Sequence, residues 1–105
     1  ASNALIFGES IAEGLLRLPA GETPSAESVS QAGGAALAVL RRRSFVATKT
    51  SSTGLATPSS VRALTTTPIV MVCNDFRSIR AGLMAMAYAI SQMLSLAGIN
   101  AAETG

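Results

Sequence analysis

Residues 57–80 read TPSSVRALTTTPIVMVCNDFRSIR, and the folding of this stretch sets the architecture. Its two prolines divide it. Thr57 followed by Pro58 is a helix-start signature, a hydroxyl cap and then a first-turn proline, and Val61 and Leu64 supply apolar contacts for a short helix over 58–64. Pro68 then precedes Ile69, Val70, Met71 and Val72, an unbroken apolar run rich in β-branched side chains. That run predicts a strand over 69–73 buried on both faces. Cys73, Asn74 and Asp75 would turn this strand into the longest helix, 76–97, which Gly98 ends. Ile99 and Asn100 open a third strand behind it.

Moving towards the N-terminus, Phe45, Val46, Ala47 and Thr48 are strand-like, and residues 51–54 break the run. The chain between this strand and 69–73 is long enough for a parallel crossover, with a looser antiparallel return as the other option. Upstream, Thr23-Pro24 repeats the cap-and-proline signature and predicts a helix reaching about Arg43. Its inward positions are Val29, Gly33, Ala36, Leu37 and Leu40. Arg41, Arg42 and Arg43 fall where the negative end of the helix dipole suits cations, and the small residues 33–36 permit another backbone to come close. Ala4, Gly8, Ile11, Leu15 and Leu18 share helical spacing, with Glu9, Glu13 and Arg17 on another face, so the first segment predicts an amphipathic helix ended by Pro19. A short strand at 4–7 is the alternative. The expected fold is α+β, or a small α/β: one domain, 1–105, with three main helices and one short helix on a sheet of two or three short strands. Because so small a sheet is marginal in water, completion by another chain is expected.

Composition points the same way. Apolar residues make up 49% of the chain and charged residues only 13%, about half the usual charged fraction, so few polar side chains are left to cover a surface. The expected partner is another protein chain, identical or different, held in obligate association through Leu83, Met86, Ile90, Met93 and Leu94 of the long helix. Residues 81–102 contain no charge and are long enough to cross a bilayer, with Arg77 and Arg80 as flanking cations. Alanine and methionine dominate that run, however, and Ser91 and Gln92 lie within it, which makes burial in protein the preferred reading over a membrane span at 81–98. The net charge is +2, and no acidic residue interrupts the window between Glu27 and Asp75, where Arg41, Arg42, Arg43, Lys49 and Arg62 fall. Three consecutive arginines without interleaved aromatics are a weak nucleic-acid footprint. The first 18 residues lack a basic leading region and are interrupted by Glu9 and Glu13, so a secretory signal is disfavoured and a cytoplasmic location expected.

The chemistry is sparse. With no histidine and one cysteine, Cys73, the chain can form neither an internal disulfide nor a zinc site of the common cysteine and histidine types. No spacing matches the GxxxxGK[ST] phosphate loop, no nucleophile–base pair is visible, and nothing indicates a cofactor or a catalytic residue. Met84, Met86 and Met93 read as gap-filling core residues. The one candidate ligand site is an anion pocket at the 73–80 strand-to-helix turn. There Cys73, Asn74 and Asp75 would present backbone N–H groups beside Arg77 and Arg80, two cations that the dipole of a helix starting there would disfavour. A plain helix cap with a buried thiol is the simpler reading of the same residues. The functional expectation is a non-catalytic structural or assembly subunit of a homo- or hetero-oligomer, associating through apolar helix and sheet-edge surfaces. Its rivals are an enzyme subunit with an anion or small-ligand site at 73–80 and a single-span membrane subunit.

Overall fold

The element order is α1 (Asn3–Leu16), α2 (Ala26–Arg42), β1 (Phe45–Lys49), β2 (Gly54–Leu55), α3 (Pro58–Ser78), α4 (Leu83–Leu96) and β3 (Ile99–Glu103). The structure is a computed structural model that describes residues 3–19, 21–49 and 54–104, with side chains at 5–19, 21–49, 54–61 and 67–104. The fold is α+β, four helices against a three-stranded sheet of order β2-β1-β3 among the described residues. The expected break at 51–53 and the contacts expected of Ala4 and Leu64 lie outside what is described.

Residues 58–78 form one helix, which corrects the expected helix, strand and turn. The start is as the sequence implies: Thr57 Oγ1 accepts from Ser60 N, Thr57 N donates to Ser60 Oγ, and Pro58 opens the first turn. The run from Ile69 to Val72 then continues the helix because burial follows a four-residue spacing. Val61, Ile69 and Cys73 are buried and Phe76 packs beside them. A strand would place Ile69 and Met71 on one face, whereas Ile69 is 0% and Met71 64% exposed. The helix propensity lost at valine and isoleucine is only about half a kcal/mol per residue, which the burial of Ile69 alone offsets. Pro68 lies inside the helix on its exposed side; its ring leaves the Leu64 carbonyl without the usual donor.

The expected long helix over 76–97 is divided between α3 and α4. Ala81 N donates to Phe76 O and Arg80 N to Arg77 O, with Arg80 at φ 55. These are the two bonds of a Schellman stop, built here on an arginine in the left-handed region that glycine usually occupies. Gly98, at φ 78, stops α4 as expected.

The other helices follow the sequence closely. In α1, Phe7, Gly8, Ile11, Ala12 and Leu15 are buried, so the segment is helical throughout rather than a strand at 4–7. α2 starts two residues later than expected, because Ser25 and Ser28 form a reciprocal capping box. Its inner face is Val29, Ala32, Gly33, Ala36 and Leu40. Small residues set the helix spacing. A Cβ on Gly8 would meet Ala87 O at 2.5 Å, and one on Gly14 would meet the Ala32 Cβ at 3.1 Å, so α1 lies close against both α4 and α2.

β1 pairs antiparallel with β2 through Thr48↔Leu55 and with β3 through Ala47↔Ala101 and its neighbours. The parallel crossover is therefore absent, since its second strand is helix. Ala47, Ile99 and Ala101 turn one face of the sheet into the core formed by the helices.

Candidate functional site

Of the five residues expected to form an anion pocket, Asn74 and Arg77 come together in a shallow depression shared with Ser78 and residues 21–24, whose lining does not include Cys73, Asp75 or Arg80. Cys73, Asn74 and Asp75 lie in the interior of α3, where backbone N–H groups are committed to the helix, so no helix N-terminus is present to cradle an anion. Cys73 is buried in the core, and Asp75 is exposed. Burial pushes the Cys73 thiol from 9.0 up to about 11 against the opposing pull of Arg77, so at neutral pH it is a protonated, inert group.

Arg77 lies in the last turn of α3, where the dipole favours a cation, rather than in a first turn where it would not. Its guanidinium donates to Leu15 O at 3.1 Å and Pro19 O at 3.3 Å, a second donor for carbonyls that also accept from Leu18 N and Glu22 N where the chain leaves α1. The charge that the sequence left unexplained is thus the brace between the C-terminal ends of two helices. An arginine in a helix's last turn is the signal that could have revealed this role, but only once that turn is known to end at Ser78. Arg80 is exposed at the Schellman stop.

The expected interface residues are also relocated. Met86, Ile90 and Leu94 are fully buried, and Leu83 and Met93 pack against the same core, so this stripe of α4 is covered by its own chain. The solvent face of α4 consists instead of Met84, Ala85, Tyr88, Gln92, Ser95 and Leu96. Met84 is 53%, Tyr88 61% and Leu96 88% exposed, and no charged residue lies anywhere on the helix. At 14 residues α4 is about 21 Å long. Among the described residues, no helix is long and apolar enough to cross a membrane.

Two further surfaces lie elsewhere on the molecule. A groove of about 350 Å³ runs between α2 and the sheet, lined by Leu37, Phe45, Val46, Leu55 and Ala56, with Arg41 as its one charged group. The face of the sheet turned away from the core carries Val46, Thr48, Asn100 and Ala102, with Leu55 beside Thr48; none of these is charged, and Thr48 Oγ1 donates to Asn100 O. Arg41, Arg42 and Arg43 are exposed at the end of α2. Among the described residues, no group of three or more carboxylates or thiols is gathered for a metal ion.

No family model, curated protein or solved structure matches the chain.

Proposed function

We propose that this chain is a non-catalytic assembly subunit that associates with another protein chain through the exposed face of α4 and an edge of its sheet. The observation that carries the reading is the solvent face of α4. Met84, Tyr88 and Leu96 stand in solvent on a helix with no charged side chain, although its opposite face has already filled the core. Methionine and tyrosine are enriched at protein interfaces and charged residues are depleted at their centres, whereas a helix that only covers a monomer carries charge on its outer face. Ser95 and Gln92 supply hydrogen-bonding groups between the apolar ones.

Sedimentation velocity and affinity purification of the tagged full chain test this together. The expected result is a stoichiometric complex, with itself or with a second chain, that Tyr88→Glu combined with Leu96→Glu disperses while the far-UV circular dichroism is unchanged. A monodisperse monomer at micromolar concentration that brings down no stoichiometric partner would overturn it.

A further inference from the structure

Four glycines lie inside helices, and three of them are explained by a close neighbour. A Cβ on Gly8 or Gly14 would press on the adjacent helix, and one on Gly33 would meet Val61 Cγ1 at 3.4 Å. Gly34 has no such reason: among the described residues, a Cβ there meets no atom beyond its own stretch of helix within 4 Å. Glycine in a helix interior costs stability relative to alanine, and the packing around Gly34 returns nothing for it. What Gly34 does border is the groove of about 350 Å³ between α2 and the sheet.

The groove follows one face of α2. Gly34, Leu37 and Arg41 are three and four residues apart and so lie in line, about 10 Å from first to last, and Phe45 and Leu55 also line it. Leu55 is 63% exposed, so most of this apolar wall is open to solvent. Arg41 stands at one end as the only charged group in the lining, and among the described residues no carboxylate or carbonyl engages its guanidinium. Arg42 and Arg43 follow it, both exposed, and their charges offset the negative pole of the helix end.

A volume above roughly 300 Å³, a mostly apolar lining and a single orienting charge are the attributes of a small-molecule site. We propose that the groove binds an apolar monocarboxylate, of which a medium-chain fatty acid is the simplest form, with its hydrocarbon along Gly34, Leu37 and Leu55 and its carboxylate on Arg41. Three features select this occupant. A cation without a partner on an apolar surface is complemented by an anion, and a guanidinium receives a carboxylate through two parallel hydrogen bonds. Thr57, the one hydroxyl in the lining, already accepts from Ser60 N in the cap of α3, so little is left to hold a polar ligand. The missing side chain at 34 lets a hydrocarbon chain lie directly on the helix backbone. No residue of α4 lines the groove, so this ligand is independent of the association face proposed above.

Titration of the isotope-labelled full chain with octanoate, followed by amide chemical shifts, tests the site. Saturable shifts are expected at residues 34–41, 45–47 and 55–57, and hexanoate, octanoate and decanoate should bind in rising order, about fourfold tighter per methylene. Arg41→Glu should weaken octanoate about tenfold or more, the scale of a lost charged hydrogen bond. Arg42→Glu makes the same charge change one residue outside the lining and should cost no more than about twofold. Octanol, which lacks the charge, should bind wild type and Arg41→Glu equally. Gly34→Leu, whose side chain enters open space, should remove binding of both probes with the far-UV circular dichroism unchanged; if it does not fold, the Arg41 and Arg42 pair decides. Equal losses in Arg41→Glu and Arg42→Glu would mean diffuse charge attraction and overturn the site, as would the absence of saturable shifts. If octanoate leaves wild type unchanged and Gly34→Leu instead disperses a complex in sedimentation, the groove belongs to a partner chain, and the ligand inference falls while the assembly reading stands.

Discussion

Helices α3 and α4 are neighbours in sequence and in space, yet they solve the burial problem in opposite ways. α3 begins with a reciprocal cap, carries polar residues along its length and, among its described side chains, buries Val61, Ile69 and Cys73. α4 has no side-chain cap and no charge, and it buries Met86, Ala87, Ile90, Ser91 and Leu94. Ser91 is satisfied there by donating to Tyr88 O at 2.8 Å. A local signal starts α3, and packing then carries it through its β-branched residues and internal proline; α4 has no such start and is held by its packing against α1, where Gly8 lets the two backbones approach. One helix announces its beginning in its own sequence, the other does not.

The greatest contrast is expected from truncating nearby positions on both helices. Ile69→Ala and Met86→Ala should each destabilise the fold by about 2–5 kcal/mol, whereas Met71→Ala and Met84→Ala should change monomer stability by no more than about 0.5 kcal/mol. Urea denaturation measures all four. Equal costs at 69 and 71 would restore the strand reading of that segment. Next in size, Pro68→Ala should stabilise the protein by up to about 3 kcal/mol, because an alanine supplies the missing N–H and relieves the ring from inside a helix. No gain in thermal midpoint would mean that α3 is interrupted there.

The two helix stops differ in the residue placed in the left-handed region, Arg80 after α3 and Gly98 after α4. Arg80→Gly should therefore raise stability, and Gly98→Ala should lower it, each by about 1 kcal/mol; the same shift for both would refute the stops as assigned. The last effect appears only at alkaline pH and concerns Cys73 in α3, which has no counterpart in α4. Its thiol pKa is raised from 9.0 to about 11 on folding, so on raising the pH the unfolded chain loses its proton first. The stability that this group contributes is full below about pH 9 and declines from there towards pH 11. Denaturation of wild type and Cys73→Ala across that window should show a steeper decline in wild type, and alkylation of the native thiol at neutral pH should be slow.

Much of the architecture is legible in residue order. Phe45 to Thr48 read as β1, Thr57-Pro58 as a helix start, Gly98 as a stop and Ile99 as the opening of β3, because caps, prolines and left-handed glycines act through the backbone within a few residues. The candidate site was not legible. The anion pocket depended on a helix over 76–97 capped by the 73–75 turn, and once 69–73 is helical the exposed N–H groups disappear and Arg77 reaches back to α1 instead. The interface stripe was displaced for a similar reason: the uncharged run 81–102 marks a helix correctly, but an apolar helix has two plausible inner faces.

Residue order alone thus settles most element starts and stops, the strands at 45–49 and from 99, and the absence of charge over 81–102. Packing settles the state of 69–73, the inward face of α4 and the partners of Arg77. A short apolar run satisfies a period of two and a period of nearly four equally well, and the difference in backbone propensity is a few tenths of a kcal/mol per residue. The apolar surface offered by the neighbouring elements outweighs that difference. Here α3 packs against α2, α4 and α1 with Ile69 and Cys73, four residues apart, in the shared core, and that spacing makes the run a helix.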